Sequence, residues 1–148
     1  ADDLIKQKDD LSNKINDAAY LKGYNISATG YNVKSNSKQV ITDRAKKVEL
    51  IQVCLTIGEN PLVSSGQKDV YVRIARPDNI ILTQGSYSFI YQGQRIQYTA
   101  KTVINYSQKA ANVCIDYPRD NIELPAGKYH IAVFADDHEL GQCSLTLR

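Results

Sequence analysis

Two hydrophobic periods divide the chain. In the first twenty residues, Leu4, Leu11, Ile15 and Ala18 recur at heptad spacing, and Lys8 fills one a position of the same register. The remaining positions carry mainly Asp, Lys, Gln and Asn, so the apolar stripe is narrow, and Gly23 is the first helix-stopping residue. A helix that packs on its own domain usually shows a stripe about 100° wide. An isolated helix of this length is marginal in water and needs a partner. Residues 1–22 are therefore expected to be the end of a longer coiled coil. Leu4, Lys8, Leu11, Ile15 and Ala18 would form the interface of a homodimer or homotrimer. The plainer alternative is an amphipathic helix lying on the chain's own domain.

After Gly23 the period changes to two. Short runs rich in Val, Ile, Tyr and Thr, such as "KVELIQVCLTIG", "DVYVRIAR", "NIILT", "YSFIY", "RIQYTAKTVINY", "ANVCIDY", "KYHIAVFAD" and "LGQCSLTLR", alternate with turn chemistry such as "GENP", "RPDN", "YQGQ" and "ADDHELG". Eight or nine such strands with no helical stretch between them predict an all-β fold. The expected architecture is an immunoglobulin-like antiparallel β-sandwich over residues 23–148. Residues 31–47 are the longest polar segment and read as a loop or a ragged edge strand. Strand phase assigns Val48 or Ile51, with Val53, Leu55, Val70, Val72 and Ile74, to the core. From the last two strands it adds Ile131, Val133, Leu145 and Leu147. Cys143 shares the phase of Leu145 and should be a buried, reduced thiol.

The other two cysteines break that phase. Cys54 and Cys114 each sit on the mixed face of an otherwise well-alternating strand. Either both are small residues beneath a loop and remain thiols, or their strands are neighbours and the two oppose each other across one sheet. The second arrangement permits a disulfide, which an oxidising compartment would favour.

Composition narrows the chemistry. A chain of 148 residues suits one domain with a real core, and no run approaches the roughly 18 apolar residues of a membrane span. Met is absent even at position 1, so the chain reads as a processed or excised piece with any anchor upstream. A net charge of +2 gives little global attraction to nucleic acid. Arg44, Lys46 and Lys47, with Lys34 and Lys38 before them, form the one basic segment. It lacks interleaved aromatics, and nucleic acid is not an expected partner. Asp136, Asp137, His138 and Glu139 fit a polar hairpin better than a metal site, and no nucleophile elbow or zinc motif occurs, so neither catalysis nor a cofactor is expected. The chain has ten tyrosines and no tryptophan; most of these are ordinary strand residues, but Tyr87 and Tyr91 in "GSYSFIYQGQ" could form an exposed recognition ridge.

The order of a heptad helix, "ISATGYNVK", "RAKKVELIQVCLTIGEN", "KDVYVRIARPDNIILT", "VCIDY" and "LPAGKYHIAVFADDHELGQCSLTL" resembles the C-terminal part of a group of Bacteroidota envelope proteins. Those carry a membrane-spanning helix, a long coiled coil and a terminal β-sandwich, with no established activity. The resemblance implies an extracytoplasmic (periplasmic) envelope location, with membrane attachment only through an upstream anchor. The expected function is a scaffold or protein-interaction module serving an envelope partner. The alternative is a glycan- or peptidoglycan-binding module.

Overall fold

The structure is a computed structural model and describes residues 20–83, 87–119 and 122–148. The described residues contain no helix and form ten strands. These are β1 (Gly23–Val33), β2 (Gln39–Ile41), β3 (Leu50–Ile57), β4 (Gly66–Ala75) and β5 (Ser88–Tyr91). They continue with β6 (Gln94–Gln97), β7 (Ala100–Tyr106), β8 (Ala111–Pro118), β9 (Gly127–Ala135) and β10 (His138–Leu147). The coiled-coil expectation for Leu4, Lys8, Leu11, Ile15 and Ala18 falls outside the described residues. Tyr20–Lys22 are irregular, and Gly23 opens β1 rather than capping a helix.

Two four-stranded antiparallel sheets result, in the orders β2-β1-β3-β8 and β10-β9-β4-β7, with β5-β6 as a separate hairpin. Their cause is the period-two pattern. In β3, Ile51, Val53, Leu55 and Ile57 are buried while Gln52, Cys54 and Thr56 are only half-buried. In β4 the buried set is Val70, Val72 and Ile74, and in β8 it is Val113, Ile115 and Tyr117. A slip of one residue in any of these strands would turn every apolar side chain to the other face, so the register is strongly specified. Both sheets contribute to one core, which also takes in Val48, Ile131, Val133 and Leu147. The facing edges close tightly at Gly141, where a Cβ would collide with Cδ1 of Ile26 in β1.

Several local expectations need correction. "NIILT" is not a strand; it makes one isolated bridge, Ala75 to Ile81, because the Arg76–Ile80 turn spends its hydrogen bonds internally. "RIQYTAKTVINY" is split at Tyr98–Thr99 into β6 and β7, where the Thr99 hydroxyl accepts a bond from the Ile74 N–H at 2.8 Å and holds the chain against β4. The last hairpin turns on Asp136 and Asp137 alone, with φ of 51° and 63°, so His138 and Glu139 are already in β10. Cys143 and Leu145 point inward as their phase requires, but each is only half-buried because β10 is an edge strand.

One polar contact ties a loop to the core. Tyr129 near the start of β9 is fully buried, and its hydroxyl donates to the Pro125 carbonyl at 2.6 Å. Burial pushes this hydroxyl up to about 12, against an ordinary 10.0, with a small opposing pull from Arg76.

Two measurements check the packing. Ile74→Ala empties a fully buried site and should cost about 2–5 kcal/mol in chemical denaturation. Ile80→Ala, at a side chain 55% exposed, should cost under about 0.5 kcal/mol. Equal losses would mean that the strand phases are wrong.

The raised Tyr129 pKa sets a second test, with a fixed sign. The folded state keeps this proton longer than the unfolded chain does, so its stabilising effect is complete below pH 10.0 and fades as pH rises toward about 12. Over that window Tyr129→Phe should lose stability less steeply than the wild type. Parallel curves would contradict the buried hydroxyl.

Candidate functional site

Three clusters outside the core carry chemistry. The first lies on the outer face of the first sheet. The pairing of β3 with β8 runs unbroken from Leu50 opposite Pro118 to Ile57 opposite Ala111. Side chains out of phase with the core therefore meet across the two strands. Gln52 Nε2 donates to Asp116 at 2.9 Å, Thr56 donates to Asn112 at 2.8 Å, and between them Cys54 and Cys114 form a disulfide. Their Cα atoms are 4.1 Å apart, as suits a directly opposed, non-hydrogen-bonded pair. Cys143 is a free thiol, and burial pushes its pKa up, which disfavours the reactive thiolate.

The second cluster is aromatic. Tyr71 of β4 and Phe134 of β9 are opposed on the face away from the core, and the β5–β6 hairpin covers them. Phe89 stacks on Tyr71 at 4.1 Å, and Tyr91 meets Phe134 edge-on at 4.9 Å. Tyr98 joins from the end of β6, 5.1 Å from Tyr71, with Tyr87 stacked against it at 5.5 Å. Taken strand by strand these tyrosines are ordinary strand residues; pairing brings four of them onto one surface. It also separates the two ridge candidates. Tyr91 is a half-buried packing residue, and Tyr87 is 47% exposed.

The third cluster surrounds a cleft of about 770 Å³ beside the turn that precedes β3. Arg44, Lys46 and Lys47 line it from that turn, Arg119 from the end of β8, and Arg148 from the end of β10. Arg119 Nη1 donates to the carbonyls of Ala45 at 2.9 Å and Val48 at 3.1 Å, so its guanidinium clamps the turn. Arg148 pairs with Asp43 at 3.0 Å, and that hydrogen bond holds the Asp43 carboxyl below its usual range. The sequence showed the basic segment but gave no sign that two distant arginines would join it.

His138 and the two turn aspartates have other partners. Asp136 pairs with Lys68 at 2.9 Å, the Asp137 carboxylate accepts the Gln92 N–H, and His138 packs against Tyr20. Among the described residues no three potential ligands gather as a metal site.

Residues 24–148 match the family model for a domain of unknown function, DUF8428. The chain belongs to that family. The family match takes in the described strands of both sheets but leaves out the N-terminal heptad segment. No curated protein matches the chain. Among solved structures it is similar to a chain titled "Pseudomonas fluorescens alkylpurine DNA glycosylase AlkC bound to DNA containing an abasic site analog". Identity is 10% and the TM-score 0.49, over 86% of this chain and 30% of that one. That neighbour is an enzyme by its title, so the expectation that the chain is not an enzyme is withdrawn; a likeness of this size assigns the chain no activity.

The cystine fixes the number of free thiols. Under denaturing, non-reducing conditions one thiol per chain should react, and it should map to Cys143. Because the bond closes a loop with a sequence separation of 60, reducing it should lower the unfolding free energy by about 2–4 kcal/mol. Unchanged stability on reduction would mean that the bridge adds nothing to the sheet.

Proposed function

We propose that the chain is a protein-interaction module of the cell envelope: an immunoglobulin-like β-sandwich carried by an oligomerising coiled coil. The sandwich reading draws on strand order. β1-β3-β8 and β10-β9-β4-β7 correspond to the A-B-E and G-F-C-C′ sheets of such domains. The buried Tyr129, bonded four residues back, resembles their tyrosine corner. The Cys54–Cys114 bond favours an oxidising, extracytoplasmic setting.

The observation that carries the functional reading is the junction between the heptad segment and the domain. Leu21 is 1% exposed, the Tyr20 carbonyl accepts from Asn60 Nδ2 at 3.2 Å, and the Tyr20 ring lies 3.5 Å from that of His138. The domain is therefore gripped where the upstream segment enters it, so pairing of residues 1–19 would fix how neighbouring domains are presented. A thin stripe of Leu4, Leu11, Ile15 and Ala18 supplies the pairing, and Lys8 weakens it.

A glycan-binding reading has one observation in its favour, the exposed Tyr87 ring stacked on Tyr98. A pull-down on glycan and peptidoglycan resins separates the two: the interaction-module reading expects no retention, and retention lost on Tyr87→Ala would favour the glycan.

Sedimentation tests assembly. The wild-type chain should self-associate as its concentration rises, and Leu4→Asp/Leu11→Asp should stay monomeric with its β circular dichroism unchanged. If the wild type is still a monomer at millimolar concentration, the oligomerising role is wrong.

A further inference from the structure

We propose that the basic cleft between the Arg44–Val48 turn and the ends of β8 and β10 binds an extended acidic peptide of a partner protein. Five of the chain's eighteen Lys and Arg side chains surround this cleft, with Glu123 as the one acidic side chain among the described residues that line it, in a protein of net charge +2. Among the described residues Arg148 is the one of these five in an ion pair, with Asp43, whose charge also attracts Arg44. Arg119 is held by carbonyl oxygens, and Arg44, Lys46 and Lys47 make no ion pair among the described residues. Closely placed like charges repel, and an anionic ligand would relieve that repulsion.

The shape and donors of the cleft select the class of anion. Its volume lies within the roughly 300–1,000 Å³ typical of ligand pockets. Buried Ala45 and Leu124, with Pro125, give it an apolar wall suited to aliphatic side chains. A compact phosphate is held best where converging backbone N–H groups add to the cationic side chains. Here those of Ala45, Lys47 and Val48 are already spent, on the carbonyls of Arg148 and Arg44. What remains is a set of long, exposed cationic side chains, which match dispersed carboxylates better than one compact charge. No aromatic ring lines the cleft, so bases have no stacking platform there.

An extended peptide also has a track to lie along. A second, shallower groove of about 550 Å³ shares Arg44 and Arg148 with the cleft and runs to Ile41. Ile41 is 71% exposed on β2, the edge strand of its sheet, whose outer backbone side pairs with no described strand. An added strand on β2 would use that edge and deliver acidic residues to the cleft. The choice of a peptide rests on the interaction-module reading; the positive cleft itself does not.

The test uses the full chain and a dye-labelled peptide alternating glutamate with leucine, read by fluorescence anisotropy. The peptide should bind, lose affinity as salt rises, and lose it when glutamine replaces glutamate. Lys46→Glu/Lys47→Glu should raise the Kd by at least about tenfold. Lys22→Glu/Lys109→Glu, with the same net charge, should change it little. No binding at low salt, or equal losses in the two double variants, would overturn the proposal. So would binding of polyphosphate or of vesicles rich in phosphatidylglycerol without binding of the peptide. Sedimentation of the same samples keeps the readings apart. Absent peptide binding with self-association intact defeats the cleft alone, and the converse defeats the coiled coil alone.

Discussion

The register between β3 and β8 governs more of this molecule than any other pairing. The paired residues Cys54 and Cys114 are 60 positions apart in a chain of 148, and bringing them together costs loop-closure entropy before any contact compensates. What compensates is double-sided. Inward, Ile51, Val53 and Leu55 meet Tyr117, Ile115 and Val113 in the shared core. Outward, the Gln52–Asp116 and Thr56–Asn112 bonds flank the cystine. Because the ladder continues one step further, with the Arg119 N–H on the Glu49 carbonyl at 2.9 Å, the same register delivers Arg119 to the turn it clamps. A strand pairing thus fixes both the core and the wall of the basic cleft.

Alternation along a strand is local information, so strand phase was legible from sequence. Each of Val53, Val72 and Ile131 declares its face by its two neighbours on either side. The out-of-phase positions of Cys54 and Cys114 were equally visible. Which strand opposes which was not, because pairing is decided by contacts between residues far apart, and thiols or a bridge fitted the sequence alike. The aromatic surface failed for the same reason. Tyr71, Tyr98 and Phe134 belong to three separate runs; the β4–β9 pairing sets Tyr71 opposite Phe134, and the folding of β5–β6 over that face brings Tyr98 to Tyr71. The apolar residues of "NIILT" suit a strand, but the Arg76–Ile80 turn takes up its first two residues and leaves room for a single bridge.

The cleft shows how a bland sequence feature gains meaning by placement. Arg44, Lys46 and Lys47 alone describe a solvated turn. Arg119 and Arg148, each at the end of a different strand, turn it into one side of a cationic cleft with a buried leucine on its wall. Its position relative to the entry point at Tyr20 and Leu21 matters to the proposed role. A module held at its N-terminal junction and recognising a partner elsewhere can join the two without either contact disturbing the core.

The claim on which these relations rest is the β3–β8 register, and nuclear Overhauser contacts between backbone Hα protons test it directly. In an antiparallel pair such contacts join residues at non-hydrogen-bonded positions. The account predicts them between Cys54 and Cys114, Gln52 and Asp116, and Thr56 and Asn112. A ladder displaced by one residue, or none between these strands, would contradict it.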